Sequence, residues 1–402
     1  MRHARPSIAA WMTRAAMLVA LSVATVFVAA SPAWGGVAGL GTGRALDRAL
    51  DGIATARGAP PGLSVLITRG SRPEFRRRGV GDVRTRRRPT LADHYRIASM
   101  AKAFNGAVAL ALVAEGNLSL DDTVGERLPG VLPKANQVTL AQALQHTGGL
   151  PDYIRSSGFL KRFTKNPQAY LSPRELVGFV RGESLRFRPG TRYEYSDTDN
   201  VVVGLMAEAV TGQSYEQLLA RYVYRPLSLV QTSLPRTVRM PRPYLHGYEL
   251  ETGKPAQDVS QLINPAGAWA SGGIVSTPPE VGRFFRAYVG GRLFDAATQR
   301  RQLRFRPGSS SPPGPGVNSA GLAVFRYRTR CGTVYGHTGS FPGYRLFAAA
   351  SADGRRSVVF TVNAQIVPRT GAPEPAVSVL IRRAQELAVC HALSGSANGP
   401  IG

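Results

Sequence analysis

Ser99 and Lys102 are the residues of this 402-residue chain whose types and spacing could support nucleophilic catalysis. They stand three positions apart, and residues at this spacing share one face of a helix. A serine hydroxyl needs a base beside it to attack at neutral pH, and a lysine amine can act as that base. Apolar residues continue to Val113 and Gly116 follows, which places Ser99 in the first turn of a predicted helix. A serine cap followed by a surface lysine is the alternative interpretation.

The scarcity of lysine favours the catalytic interpretation. Lysine and arginine together number 50, yet lysine occurs only at positions 102, 134, 161, 165 and 254. Arginine does not lose its proton in proteins, whereas a lysine can. A lysine in an otherwise apolar helix therefore indicates a group that must deprotonate.

Two further motifs follow in chain order. The first is Tyr195-Ser196-Asp197, and the second is His337-Thr338-Gly339. With Ser-x-x-Lys, these motifs resemble the three motifs of the serine β-lactamase and penicillin-binding protein superfamily. Within it the chain is most similar to the secreted actinomycete D-alanyl-D-alanine carboxypeptidases, a class C-like group. The likeness covers roughly residues 45–392 and includes the segments 144–153 and 271–277.

The resemblance implies a role for each motif. Ser99 is the expected nucleophile, and Lys102 and Tyr195 share the transfer of its proton. The backbone N–H groups of Ser99 and Ser340 form the expected oxyanion hole. The further residues expected to bind substrate are Asp197, His337, Thr338, Gly339, Ser340, Arg326 (or Arg328) and Trp269. A surface arginine and a core tryptophan are the alternatives at the last two sites.

Two positions depart from the family pattern. Asp197 stands where the second motif usually has an asparagine, and an ionised carboxylate cannot donate a hydrogen bond. Its charge would also favour the ammonium form of Lys102 and oppose its action as a base. His337 replaces the usual third-motif lysine and is a weaker holder of anions. His146 precedes Thr-Gly-Gly and imitates the third motif, but it comes too early in the chain and is interpreted as a structural helix end.

The predicted fold is α/β (α+β), of the β-lactamase and transpeptidase-like type, with an antiparallel sheet flanked by helices and an inserted helical domain. Strand-like runs come from both ends of the chain, and the middle has mostly helical periodicity. The predicted division is a signal peptide (1–33), a discontinuous α/β domain (34–98 and 262–392), a helical domain (99–261) and a tail (393–402).

An export signal is predicted at the start of the chain. Arg2, Arg5 and Arg14 flank an apolar run over residues 15–30, and small residues end at Ala33. The expected location is secreted or extracytoplasmic; an uncleaved membrane anchor is the alternative. In that compartment Cys331 and Cys390 are expected to form a disulfide rather than two free thiols. It would close a loop of about 60 residues and contribute about 4 kcal/mol in the chain-entropy model.

The formal net charge of +25 is compatible with several partners. No nucleic-acid-binding module accompanies it, so no nucleic-acid partner is expected. A solvated arginine-rich surface is the preferred interpretation, and anionic cell-wall polymers or membrane surfaces are the candidate macromolecular partners. The six histidines are scattered, and no cofactor or metal is expected. The predicted protein is a monomer that acts on a small peptide or β-lactam.

The predicted function is a D-alanyl-D-alanine carboxypeptidase-like serine hydrolase. A β-lactamase, an esterase and a non-catalytic penicillin- or wall-binding protein are the alternatives, and the sequence does not decide between them.

Overall fold

The computed structural model describes residues 40–251, 253–366 and 374–394. The predicted signal peptide and most of the predicted tail lie outside the described residues. Within the described ranges, no helix combines the length and the apolar content needed to cross a bilayer.

The strands belong to one large sheet and two short ladders. In chain order they are β1 (Gly62–Arg69), β2 (Arg72–Gly79), β3 (Tyr95–Arg96), β4 (Tyr248–Glu249), β5 (Gln257–Asp258), β6 (Val275–Ser276), β7 (Val317–Ala320), β8 (Phe325–Thr329), β9 (Gly332–Phe341), β10 (Tyr344–Ala350) and β11 (Arg356–Val362). The large sheet has the order β2-β1-β11-β10-β9-β8-β7, and every neighbouring pair is antiparallel.

Helices cover both faces of this sheet and fill the middle of the chain. They are α1 (Leu40–Thr55), α2 (Ala101–Ala114), α3 (Val124–Arg127), α4 (Leu140–Leu144), α5 (Ser157–Lys165), α6 (Pro173–Gly178), α7 (Asp197–Thr211), α8 (Tyr215–Leu219), α9 (Trp269–Gly272), α10 (Pro278–Val289), α11 (Ala296–Gln302) and α12 (Ala376–Leu393). Short 3-10 turns lie at Ala98–Met100, Pro133–Ala135, Tyr153–Arg155 and Pro265–Gly267, and a π-helical turn lies at Ala220–Tyr224. The predicted fold class is confirmed.

Two hydrophobic layers explain why the central strands are apolar on both faces. On one side, α1 and α12 bury residues such as Leu50 and Ile381 against the sheet. On the other side, α10 buries Phe284 and joins the core of the helical region. Its ring stacks on Phe104 of α2 with centroids 3.6 Å apart. The helix that follows Ser99 is therefore held between the sheet layer and the helical region.

Local sequence signals define several helix starts. The spacing of Ser172 to Glu175 and of Ser214 to Gln217 in the sequence predicts a capping box at each serine, and both capping boxes form. Tertiary contacts shift other boundaries. The apolar run from Leu322 predicts a strand start there, but β8 begins at Phe325. The Leu322 N–H donates to the Gln302 carbonyl instead, and the Ala323 N–H donates to a carbonyl of α4. The Pro-, Gly- and Ser-rich composition of residues 306–318 predicts a flexible surface loop, but β7 begins at Val317, within this segment.

Candidate active site

Ser99 lies in the 3-10 turn that leads directly into α2. The preceding residue, Ala98, has a φ of 51°, a conformation that is strained for a residue with a side chain. Ser99 is partly exposed, whereas Lys102 is fully buried. The Lys102 Nζ atom lies 3.2 Å from the Ser99 Oγ atom. The turn therefore presents the hydroxyl to the cleft and keeps the amine beneath it.

Lys102 has one acceptor for each N–H of an ammonium group. These acceptors are the Ser99 hydroxyl, the Asp197 carboxylate and the carbonyl of Ser271, the last at 2.8 Å. The Lys102 side chain is 1% exposed and that of Asp197 is 15% exposed. In this arrangement Ser99 accepts a hydrogen bond from a charged lysine. Lys102 must therefore lose a proton before it can take one from Ser99.

Tyr195 packs against the same lysine. The Lys102 Nζ atom lies 4.9 Å from the centroid of the Tyr195 ring. The Tyr195 hydroxyl is buried and has no hydrogen-bond partner of good geometry within the described ranges. Burial and the charge of Asp197 raise the pKa of Tyr195 well above its usual value, although the nearby Ser99 hydroxyl opposes this. The phenol is therefore a neutral proton donor at the site.

The apolar run over residues 201–210 predicts a helix capped by Asn200, with Asp197 in the preceding loop, but α7 begins at Asp197. The Ser196 side chain makes no capping hydrogen bond. Instead the Asp197 N–H donates to the Asp152 carboxylate at 3.1 Å. One turn further along both helices, the Asn105 side chain donates to the Asn200 carbonyl at 2.9 Å. This second contact fixes α2 against α7 and so positions Lys102 beside Asp197.

Asp152 is a site residue that the sequence did not reveal. Its side chain is 8% exposed, and its nearest cation is Arg155 at 3.6 Å. Burial and the neighbouring Asp197 charge raise the pKa of Asp152 to about 7. It stands in the segment Leu-Pro-Asp-Tyr, which the family resemblance included, but no residue pattern there indicated a carboxyl group beside Asp197.

His146 and Asp199 form a buried pair behind Tyr195. A hydrogen bond of 2.7 Å joins His146 Nδ1 to Asp199 Oδ2, and the rings of His146 and Tyr195 have centroids 4.4 Å apart. Burial lowers the pKa of His146 and raises the pKa of Asp199. Burial thus favours the uncharged form of each group, and the pair orients the Tyr195 ring from behind. His146 follows α4, the helix end at which it was expected.

The third motif lies on β9, next to the turn that contains Ser99. β8 pairs only with residues 332–336, so the edge of β9 from His337 onward extends past β8. A Cβ atom added to Gly339 would lie 2.7 Å from the Ile97 carbonyl and 3.2 Å from the Ala98 Cβ atom. The absence of a side chain at Gly339 thus allows the strand to approach the nucleophile. A strand edge in this position can bind an extended substrate by main-chain hydrogen bonds.

The remaining residues of the third motif are polar but uncharged. The His337 Nδ1 atom donates to the Thr338 carbonyl at 2.5 Å. Burial and the charge of Lys102 lower the pKa of His337 to about 3, so the imidazole is neutral. Ser340 is exposed, and the Gln365 amide donates to its hydroxyl at 3.1 Å. The strand therefore offers hydroxyl and backbone groups to a substrate.

Arg326 and Trp269 make their contacts away from Ser99. The Arg326 guanidinium lies 4.7 Å from the centroid of the Phe305 ring. Trp269 is buried against Tyr215, with ring centroids 4.8 Å apart, and a Cβ atom on Gly204 would lie 2.8 Å from its ring. The structure therefore places Trp269 in the helical core, which was the alternative interpretation. Arg328, the other arginine considered, is exposed on β8.

The predicted disulfide is present. Cys331 precedes β9 and is bonded to Cys390 in α12, 59 positions further along the chain. The bond fastens the last helix to the strand that carries His337.

Comparison with known proteins agrees with this geometry. The protein-family model described as beta-lactamase matches residues 46–380, which is most of the chain. The chain belongs to the beta-lactamase family. The family match and the geometry together identify the protein as a serine hydrolase related to the penicillin-binding proteins.

Individual relatives have low sequence identity to this chain. Protein flp of Staphylococcus aureus (strain MW2) is 31% identical over 205 residues, which cover 50% of this chain and 40% of that protein. Putative penicillin-binding protein PbpX of Bacillus subtilis (strain 168) is 25% identical over 274 residues, covering 67% and 62%. The alignments thus span less than two thirds of these relatives. A solved D-stereospecific amidohydrolase from Streptomyces sp. has a TM-score of 0.72 and 28% identity, covering 85% of this chain and 98% of that one.

Proposed function

We propose that this protein cleaves amide bonds in small D-configured substrates through an acyl-enzyme on Ser99. The observation that carries the proposal is the 3.2 Å contact between Ser99 Oγ and the buried Lys102 Nζ. A serine hydroxyl beside a buried lysine, at the edge of a strand that can hold a substrate, has the parts that acyl transfer requires.

The proposed reaction has two steps. The Ser99 oxygen attacks the substrate carbonyl carbon as its proton passes to Lys102. The C–N bond then breaks, and the amine leaves with that proton, which Lys102 delivers directly or through Tyr195. Water then hydrolyses the ester on Ser99 and releases the acid. In both steps the negative oxygen of the tetrahedral intermediate lies between the N–H groups of Ser99 and Ser340. The close approach of Gly339 to the Ser99 turn supports this assignment of the oxyanion hole.

The preference for an amide follows from the third motif. Because the lowered pKa of His337 leaves it neutral, the motif itself supplies no charge for a terminal carboxylate. An uncharged leaving group suits such a surface better than a free carboxylate does. The Streptomyces relative, described as a D-stereospecific amidohydrolase, supports D-configured amides as the substrate class.

A D-alanyl-D-alanine carboxypeptidase acting on peptidoglycan peptides is the second candidate. Three ordered motifs and the similarity to PbpX favour it, and the hydroxyls of Thr338 and Ser340 would bind the terminal carboxylate. A β-lactamase or an esterase would use the same acyl-enzyme and differ mainly in how fast the ester is hydrolysed. A penicillin-binding protein without turnover would form the ester and keep it.

We also propose that the protein is a monomer that works outside the cytoplasm, where a disulfide is stable. The bond between Cys331 and Cys390 supports an oxidising compartment. Acidic wall polymers are the proposed macromolecular partners in that setting, because the chain carries a formal net charge of +25.

The test is a substrate panel with Ser99→Ala as the control. D-alanine amide, L-alanine amide, an N-acylated D-Ala-D-Ala peptide and a chromogenic cephalosporin are compared by kcat/KM. We expect turnover of the D-amide at least about tenfold above that of the L-amide, and none with Ser99→Ala. Equal rates for the two enantiomers would contradict the proposal. Faster cleavage of the D-Ala-D-Ala peptide would support the second candidate instead.

A further inference from the structure

The pentapeptide Arg-Phe-Arg-Pro-Gly occurs twice, at residues 186–190 and 304–308. The two copies lie side by side in the fold, although more than a hundred positions separate them in the chain. The Arg306 guanidinium donates from Nη1 to the Gly190 carbonyl at 3.1 Å and from Nη2 to the Thr191 carbonyl at 2.9 Å. One arginine of the second copy therefore fastens the two copies together.

The phenylalanine ring of each pentapeptide packs against an arginine that lies outside the pentapeptide. The Arg192 guanidinium lies 5.5 Å from the centroid of the Phe187 ring, and that of Arg326 lies 4.7 Å from the centroid of the Phe305 ring. Both rings are half-buried. Such cation–π contacts restrict where a guanidinium can point, so less conformational freedom is lost when it binds an anion.

We call residues 186–192 and 300–306, together with Arg326, the RFRPG surface. Neither segment contains an aspartate or a glutamate. Its exposed arginines are Arg186, Arg188, Arg192, Arg300, Arg301 and Arg304. Among the residues that the structure describes, Arg186 is the one member of the surface with a carboxylate within 4.0 Å, that of Glu194 at 3.5 Å. The surface therefore carries a large uncompensated positive charge.

The RFRPG surface borders the candidate active site. Arg192 precedes Tyr195 by three positions, and the Glu194 N–H donates to the His146 carbonyl at 3.0 Å. The Tyr193 hydroxyl donates to the carbonyl of Ser311, in the loop after the second copy. A molecule bound along the surface would thus lie beside the cleft that contains Ser99.

We propose that the RFRPG surface binds a linear phosphate polymer beside the cleft. Guanidinium groups pair with phosphate oxygens two at a time, and several of them in a row match a chain with regularly spaced negative charges. The two phenylalanine rings already carry guanidinium groups, so they are not free to stack on nucleic-acid bases. Recognition is therefore of the phosphate charge and not of bases. This assignment does not depend on the proposed reaction at Ser99.

The test measures binding of end-labelled long-chain inorganic polyphosphate by fluorescence anisotropy at several salt concentrations. The variant combines Arg188→Gln, Arg192→Gln and Arg304→Gln. The matched control combines Arg44→Gln, Arg48→Gln and Arg57→Gln, which removes the same charge from exposed positions of α1 and the residues after it. A second variant has lysine at positions 188, 192 and 304. It keeps the positive charge but removes the planar guanidinium groups, so it tests the proposal even if the glutamine variant fails to fold.

We expect the glutamine variant to lose at least about tenfold in affinity, while the control changes by less than about threefold. The slope of log affinity against log salt should fall by about 2, since each contact to a single-stranded phosphate chain contributes about 0.7. The lysine variant should bind more weakly than the original protein. Labelling of Ser99 by an acylating probe should be the same in these variants as in the original protein. Absence of polyphosphate binding, equal losses in variant and control, or tighter binding of single-stranded DNA of the same length would each overturn the proposal.

Discussion

Replacing Asp197 with asparagine would test the electrostatic restraint on Lys102. Asp197→Asn restores the amide that the second motif usually has, and it removes one negative charge from contact with the ammonium group. Lys102 keeps its bonds to Ser99 and to the Ser271 carbonyl in this variant. The substitution therefore changes charge with little change in shape.

The size of the effect follows from the buried ion pair. Two unit charges 4 Å apart attract by about 4 kcal/mol at an effective dielectric constant of about 20. Lys102 is 1% exposed and Asp197 is 15% exposed, so solvent screens the pair only partly. An asparagine oxygen still accepts a hydrogen bond from the charged lysine, and bonds of this kind contribute about 1.5–3 kcal/mol, so about half of the attraction is retained. Deprotonation of Lys102 should then become easier by about 2 kcal/mol.

If Lys102 is the base, this change accelerates acylation of Ser99 by roughly 30-fold at pH 7, because 1.36 kcal/mol corresponds to a factor of ten in rate. The rate is measured by intact-mass spectrometry after timed exposure to a fluorophosphonate. Asp121→Asn is the matched control. It makes the same chemical change at an exposed position after α2.

Slower acylation of Asp197→Asn, with Asp121→Asn unaffected, would refute this reasoning. That result would mean that the Asp197 carboxylate takes part in moving the proton and does not merely hold it on Lys102. A thermal melt of each variant separates a rate effect from loss of the folded protein.

Three further predictions concern the parts that hold the site. Gly339→Ala should reduce acylation at least tenfold, because the new Cβ atom would lie 3.2 Å from that of Ala98 and push the strand from the Ser99 turn; timed labelling and a melting curve check this. The raised pKa of Asp152, about 7 against 3.8 when unfolded, means that the free energy of unfolding falls as the pH rises from about 4 to 7. Denaturant titrations at pH 5 and pH 8 should show this fall in the original protein and a smaller one in Asp152→Asn. Replacing Cys331 and Cys390 by serine should lower the free energy of unfolding by about 4 kcal/mol, measured by denaturant titration, and leave labelling of the folded protein unchanged.

The parts of the site that are close in sequence were predictable. Ser99 and Lys102 share one turn, so their contact follows from helical spacing. The capping boxes at Ser172 and Ser214 form because their partners lie three positions away. Even the ion pair between Lys102 and Asp197 was anticipated, because the family resemblance places the first two motifs together.

The parts that depend on distant burial were not predictable. Asp152 contacts the start of α7 from 45 positions away, and that contact decides where the helix begins. His146 was expected only as a helix end, and nothing near it in the sequence indicates a buried pair with Asp199 behind Tyr195. For Trp269 the sequence allowed either a pocket or a core position, and packing against Gly204 and Tyr215 accounts for its place in the core.

The most direct test of the account is the mass of the protein after reaction with an acylating probe. The original protein and Ser99→Ala are each incubated with a fluorophosphonate and, separately, with a penicillin. The account predicts a single adduct on the original protein, mapped to Ser99 by peptide sequencing, and none on Ser99→Ala. An adduct on both proteins, or no adduct with either probe, would contradict the assignment of Ser99 as the nucleophile.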